Sequence, residues 1–297
     1  MKFWCLQFST PDEIRSNSHR GYSTPHPIVT FEQLKVQFDS KKRSVRNEGL
    51  SYLETMSRPA SVNSIEERVK RVAWERVSRE LDAEGNAVIK GVLKPEECDE
   101  VRGLYDEDDL FRSQVVMERH GFGRGEYRYF RYPLPDLIRN LRTSIFPRLV
   151  PIANRWNEAM GIDVRFPTTH AEYIRRCHEA GQDKPTPLIL KYGTNDYNCL
   201  HQDLYGEHVF PLQIAVLLSE PEKDFTGGEF VMTEQRPRMQ SRPMVVSLRK
   251  GDGVVFAVHH RPVRGKKSVY RVNLRHGVSR VRSGSRHTLG IIFHDAR

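Results

Sequence analysis

A helical first part followed, after Pro187, by a run of short β-branched segments predicts an α+β chain whose core is a double-sheet jelly roll with supporting N-terminal helices. The first observation is helical periodicity upstream. The second is a set of seven apolar runs bounded by Gly, Pro and Asp, at 188–192, 209–218, 229–233, 244–248, 253–258, 268–274 and 288–293. The third is turn chemistry between them, such as Gly227-Gly228, Gly251-Asp252 and Gly284.

Each element has its own signal. Ser64 is a helix cap and Glu67 completes its capping box. Ile65, Val69, Val72, Ala73, Val77 and Leu81 then form one apolar face, and Gly85 ends the helix. Residues 86–93 read as a strand, and Pro95 starts a second helix that runs to about Tyr105. Aromatic and charged residues interleave over 122–132, which predicts an exposed strand or ribbon. A helix over 136–160 is expected to be interrupted at Pro147 and Pro151, and a shorter one spans 168–180. Three regions follow. Residues 1–60 show no sustained period and read as a partly ordered extension. Residues 61–187 form a helical support carrying the first strand or strands, and 188–297 form the jelly-roll catalytic core.

Composition narrows the function classes. The chain has 297 residues, 38% hydrophobic and 29% charged, with mean hydropathy −0.61, a soluble globular balance. No apolar window reaches membrane-spanning length, and the first nine residues do not form a secretory leader, so no membrane partner is expected. Cys5, Cys98, Cys177 and Cys199 make no CxxC pair, which argues against a zinc ribbon or a disulfide framework and for a cytoplasmic protein with reduced thiols. Net charge is +9, but Arg236 to Arg297 holds fifteen Lys and Arg against two acids, and the remainder is slightly acidic. Such a basic segment suits an anionic co-substrate or a nucleic acid, or serves only as a solvated face.

The chemistry-bearing residues begin at His201-Gln202-Asp203. In an extended segment residues i and i+2 share a face, so His201 and Asp203 can present one imidazole nitrogen and one carboxylate oxygen to one point. Two histidines and a carboxylate on one face of an octahedron are the ligand set of non-heme Fe(II) oxygenases. His276 supplies the second histidine, and Arg286 follows it by ten residues across the turn at Gly284. A guanidinium fork pairs with a carboxylate, as a dicarboxylate keto acid chelated to iron requires. His259 and His260 are rivals for the distal ligand, but neither has a Gly-x-Arg spaced behind it. His208 reads as a loop residue, and His287 and His294 as structural residues of the last strand.

With these motifs the sequence resembles the iron(II)/2-oxoglutarate-dependent dioxygenases over about residues 86–297. His201, Asp203 and His276 match the family's HxD…H triad, and Arg286 its co-substrate arginine. Gly227-Gly228-Glu229-Phe230 and Gly251-Asp252 with Phe256 match strands between the ligand motifs. Residues 198–238 further resemble an uncharacterised prokaryotic group whose name implies oxidative demethylation of damaged nucleic acid. Tyr197 resembles the tyrosine of prolyl hydroxylases that hydrogen-bonds the keto acid, four residues before His201 rather than three. The resemblance implies a double-stranded β-helix fold, Fe(II) as cofactor, 2-oxoglutarate and O2 as co-substrates, and hydroxylation of a substrate C–H with release of succinate and CO2.

Arg124 to Tyr132 combines three further candidates, Arg128, Tyr129 and Arg131. Aromatic rings stack on bases and arginines meet phosphates, so the segment suits a nucleic-acid lid. It equally suits an amphipathic strand lining the barrel mouth, and successive residues must then face opposite sides. Arg128 goes with Phe130 and Tyr132, whereas Tyr127 goes with Tyr129 and Arg131. The alternative substrate is a protein, peptide or small molecule, and a non-enzymatic binding jelly roll is disfavoured by the complete ligand set.

Overall fold

The computed structural model describes residues 64–204, 206–266 and 268–297, all within the compact unit Ala60–Arg297. The expected extension over residues 1–60, and Cys5 with it, lies outside the described residues. The helices are α1 (Ile65–Arg71), α2 (Trp74–Glu84), α3 (Pro95–Gly103), α4 (Asp136–Ala159) and α5 (His170–Glu179). The strands begin with β1 (Asn86–Ile89), β2 (Phe111–Val116), β3 (Gly123–Arg124), β4 (Glu126–Phe130) and β5 (Leu188–Tyr192). Next come β6 (Tyr197–His201), β7 (Leu212–Leu217), β8 (Phe225–Gly227), β9 (Phe230–Gln235) and β10 (Arg242–Val246). Last are β11 (Gly253–Ala257), β12 (His260–Arg264), β13 (Val269–Val278), β14 (Val281–Gly284) and β15 (Arg286–Ile291).

All strand pairs are antiparallel, in a seven-stranded sheet ordered β1-β11-β7-β15-β5-β4-β2 and a six-stranded sheet ordered β10-β9-β13-β6-β3 with β12 also on β13. A two-stranded ribbon, β14 with β8, completes it. The two sheets enclose the cavity described below, so the expected α+β jelly roll is the fold. Strands β7, β11 and β15 are buried at every position, which is why their sequences read as unbroken apolar runs rather than alternating ones. One face looks into the barrel and the other is covered by helices. Phe146 of α4 packs against Phe210 and Phe293 at ring distances of 4.9 and 6.0 Å.

Three expectations are corrected. The helix over 64–85 is two helices, since Val72 is extended and the Trp74 indole donates to the Val69 carbonyl at 2.8 Å, taking an acceptor from the end of α1. The Ser64 cap and the Gly85 stop are as expected, with Ser64 Oγ accepting from Glu67 N and Gly85 left-handed. Helix α4 runs uninterrupted through Pro147 and Pro151. Both prolines lie on its exposed side, where freed carbonyls meet water, while Ile138, Leu141, Ile145, Leu149 and Trp156 bury the opposite side. That burial outweighs roughly 3 kcal/mol per internal proline. The segment 122–132 is not an exposed ribbon. Its strand β4 lies between β5 and β2 inside the seven-stranded sheet, so the region before residue 188 supplies β1, β2 and β4 to the core.

The helices are clasped to the sheet near the last residues. Buried Arg142 of α4 pairs with buried Asp295 at 2.8 Å and donates to the Ile292 and His294 carbonyls. Tyr132 Oη donates to Asp295 Oδ2, and His178 Nε2 of α5 lies 2.8 Å from the same oxygen. Asp295→Ala therefore leaves a guanidinium buried without its partner, and urea denaturation is expected to show a loss of about 3–5 kcal/mol. A loss under about 1 kcal/mol would contradict this clasp.

Candidate active site

Two strands of the smaller sheet build the site. Register places His276 of β13 opposite His201 at the end of β6, and Asp203 follows in extended chain, so the three side chains meet inside the barrel. His201 Nε2 is 3.5 Å from Asp203 Oδ1, and His276 Nε2 is 3.3 Å from Asp203 Oδ2. The two imidazole rings are 4.3 Å apart. One donor atom from each residue lies within 4.8 Å of the others, the only such trio of His, Cys, Asp or Glu among the described residues.

The donors are prepared for a cation. His201 Nδ1 donates to the Cys199 carbonyl at 2.8 Å, which leaves the lone pair on Nε2, the atom facing Asp203. Burial and, after it, the neighbouring His201 push the His276 pKa down, against an opposing pull from Asp203, so His276 favours its neutral, ligating form. The Phe256 ring backs His276 at 4.5 Å. Gln202, between the two ligands, points the other way and donates to the Leu274 carbonyl and to Asn273 Oδ1, each at 2.7 Å. It thereby ties the HxD turn to β13 two residues before His276. Two nitrogen lone pairs and a carboxylate converging on the cavity wall fit a divalent metal.

A cavity of ≈ 400 Å³ opens from this trio between the sheets. At its far end lies Arg286 of β15, 1% exposed. Its Nη1 donates to Thr288 Oγ1 at 2.5 Å, while its Nε has no partner among the described residues, and it forms no ion pair with any of them. Burial lowers its pKa to about 10, with Tyr192 and Glu229 acting the other way. The guanidinium sits 5.6 Å from the Tyr192 ring and 5.9 Å from that of Phe225. Gly228 makes the space. It is left-handed at φ +62°, and a Cβ there would lie 3.0 Å from Arg286 Cδ and 2.9 Å from Val281 Cγ2. A buried cation without a counter-ion fits an incoming carboxylate.

Of the residues singled out in the sequence, His201, Asp203, His276, Arg286 and Tyr129 line this cavity. Tyr197 does not. At the start of β6 its side chain is 38% exposed, and the tyrosine beside Arg286 is Tyr192, fully buried, whose hydroxyl accepts from Asn198 Nδ2 at 3.3 Å. Strand alternation also corrects Arg128, which lies on the outer face of β4. It pairs with Asp108 at 2.8 Å and donates to the Tyr105 carbonyl. Tyr127 and Tyr129 face inward, and Arg112 sits 4.5 Å over the Tyr129 ring. Arg131 is exposed and lines no part of the cavity. The rival histidines are elsewhere. His259 and His260 stand at the start of β12, His287 packs against Tyr105 on the outer face, and His294 Nδ1 accepts from Phe210 N.

Comparison with known proteins adds the following. The model of a family described as "Oxygenase, catalysing oxidative methylation of damaged DNA" matches residues 125–296. The uncharacterized proteins MT2286 and Rv2227 of two Mycobacterium tuberculosis strains, CDC 1551 / Oshkosh and ATCC 25618 / H37Rv, are each 49% identical over 167 residues, 56% of this chain and 72% of theirs. Among solved structures, a Pseudomonas putida prolyl-4-hydroxylase is 11% identical at TM-score 0.44, covering 73% of this chain and 96% of its own. A Burkholderia pseudomallei oxidoreductase of the 2OG-Fe(II) oxygenase family is 14% identical at TM-score 0.45, covering 76% and 93%.

Removing the Gln202 tie should loosen the ligands without touching them. Gln202→Leu is expected to weaken Mn(II) binding, read by isothermal titration, by about 10-fold, as loss of a supporting hydrogen bond does. Unchanged affinity would show that β13 alone orients the trio.

Proposed function

The chain belongs to the oxygenase family whose model it matches, and from that premise we propose that it is an Fe(II)- and 2-oxoglutarate-dependent dioxygenase acting on methylated nucleic acid. One observation carries the reading: a His–Asp–His trio and a buried, unpaired arginine face the same cavity from opposite sheets. His201, Asp203 and His276 would hold the metal. When bound, iron supplies activation of O2, coupling oxidative decarboxylation of the keto acid to hydroxylation of a substrate C–H.

The chain's own residues do the rest. Arg286, steadied by Thr288, meets the distal carboxylate of 2-oxoglutarate and so fixes its direction in the barrel. Tyr192 and Phe225 wall the guanidinium off from water, which strengthens that pair. Phe256 and Phe230 hold the His276 ring against rotation.

An oxygenase adds oxygen to a C–H bond. On an N-methylated base the hydroxymethyl product sheds formaldehyde and leaves the bare nitrogen, so this chemistry removes methyl groups from damaged DNA. Surface charge supports an anionic partner. Arg238, Arg264, Lys266, Arg275, Arg280 and Arg282 are exposed and in no ion pair with a described residue. A peptide substrate loses the feature that favoured it, because Tyr197 lies outside the cavity. The same reading sets the enzyme in the cytoplasm, supported by three free cysteines, Cys98, Cys177 and Cys199.

Succinate release at low salt should be stimulated by single-stranded oligonucleotides bearing N-methylated bases and not by unmodified ones. Stimulation only by peptides or metabolites would overturn the nucleic-acid part. Arg286→Leu should weaken 2-oxoglutarate binding by roughly 30-fold or more, a pair worth about 2–5 kcal/mol, with Mn(II) still bound. Unchanged co-substrate affinity would remove Arg286 from its role. His276→Ala should abolish metal binding and His260→Ala should not.

A further inference from the structure

The cavity holds a second buried polar group that no described residue satisfies. Gln213 lies on β7, is 5% exposed and lines the cavity, and its Nε2 has no hydrogen-bond partner among the described residues. The amide nitrogen is thus orphaned, and a buried donor without a partner destabilises the protein that carries it. Such a group is expected to meet a ligand.

Register locates that ligand. Gln213 pairs with Phe256 across β7 and β11, and the Phe256 ring is the one 4.5 Å from His276, so Gln213 stands on the metal-ligand side of the cavity. On the other flank of β7, Thr288 pairs with Leu217, four residues further along, or about 13 Å at 3.3 Å per residue. Arg286 is therefore at the opposite end. A keto acid directed by Arg286 toward the trio has both ends met before it reaches Gln213. Register lines up Tyr129, Leu188 and Gly290 across the sheet with Ala215, two residues from Gln213, and all four line the cavity. A Cβ at Gly290 would lie 2.8 Å from Leu188 Cδ2, so the glycine leaves this wall flat.

Resting on the oxygenase reading above, we propose that Gln213 is the specificity-determining residue that reads the substrate. Its carboxamide offers a donor and an acceptor side by side to the hydrogen-bonding edge of a nucleobase inserted beside the trio. A primary carboxamide matches an adjacent acceptor–donor pair, as on an adenine edge, and flipped bases are read by such contacts with apolar or aromatic faces above and below.

The test compares wild type with Gln213→Met, which keeps length and loses both polar atoms, and Gln213→Glu, which keeps acceptors and loses the donor. The probe is a single-stranded oligodeoxynucleotide carrying one 1-methyladenine. Both variants should lose at least tenfold in kcat/KM for the oligonucleotide, while the Kd for 2-oxoglutarate on the Mn(II)-loaded protein stays within twofold of wild type. The Tm of substrate-free Mn(II)-loaded Gln213→Met should equal or exceed that of wild type, because the orphaned amide is gone. Turnover within twofold of wild type in Gln213→Met overturns the assignment alone, and so does a fall in its Tm of more than about 4 °C, which would make the amide structural. A wild-type protein that binds 2-oxoglutarate but ignores the oligonucleotide overturns the nucleic-acid reading together with this one. Peptide-stimulated turnover abolished in Gln213→Met overturns the nucleobase edge in favour of a peptide group.

Discussion

The pairing of β13 between β6 and β9 is the constraint on which the rest of the molecule depends. Strand β13 is ten residues long, and on one flank it carries His276 opposite His201 while on the other it places His276 opposite Met232. Side chains alternate with a period of two, so a slip of one residue would turn His276 outward and Arg275 inward. Several features hold the register. Gln202 grips the Leu274 carbonyl, and Leu274 and Val272 are fully buried on the inward face. Gly277 lets β6 pass closely, since a Cβ there would lie 2.6 Å from the Asn198 carbonyl oxygen. The ligand geometry is thus a by-product of sheet packing rather than of attraction among the ligands. Two imidazoles and a carboxylate brought together without a cation gain little from one another.

The same logic extends along the cavity. Arg286 is a buried cation without a counter-ion, Gln213 a buried amide without a partner, and His276 Nδ1 a buried nitrogen without one. Elsewhere the interior satisfies its charges. Arg142 meets Asp295, and Arg261 meets Glu234 in a short contact between buried side chains. Arg286 and Gln213 thus lack on the cavity wall the partners that Arg142 and Arg261 have elsewhere, although buried atoms away from the cavity, such as Tyr105 Oη, Tyr173 Oη and His287 Nδ1, are also without a partner among the described residues. A fold can tolerate that only where surrounding packing is dense, and here the fully buried strands β7, β11 and β15 supply it.

How much of this could be read beforehand followed from the range of the signal. The trio was legible because i, i+2 alternation is local, and Arg286 because a glycine turn announces the strand that carries it. The loss of Tyr197 and the appearance of Tyr192 show the limit. Counting back from His201 gives spacing, but which tyrosine turns inward depends on β5 lying beside β15, a contact across the whole core, with Tyr192 paired to Arg286. Gln202 and Gln213 carried no signal at all, since a glutamine reads alike in a turn, on a surface or in a cavity. Strand β6 was missed because its five residues are largely exposed and mixed in polarity, so no apolar run marks it. The prolines of α4 misled because propensity weighs each residue alone, whereas tertiary burial sums over the helix face.

The basic C-terminal fifth sorts in a similar way. Read as a sum, its charge suggested a surface for phosphates. In the fold, Arg261 and Arg286 are interior, Arg242 pairs with Glu84, Arg236 with Glu234 and Lys250 with Asp99. The remaining exposed arginines spread over the outer strands and turns. A field of that kind attracts a polyanion without discriminating its sequence, because phosphate contacts carry position rather than identity. On the proposed nucleic-acid reading, discrimination falls to the inside of the barrel, where the Gln213 amide would meet the edge of the base. Attraction outside and selection inside are then separate physical tasks assigned to separate residues. Ionic strength acts on the first and leaves the second nearly untouched, because buried hydrogen bonds are screened far less than surface charges.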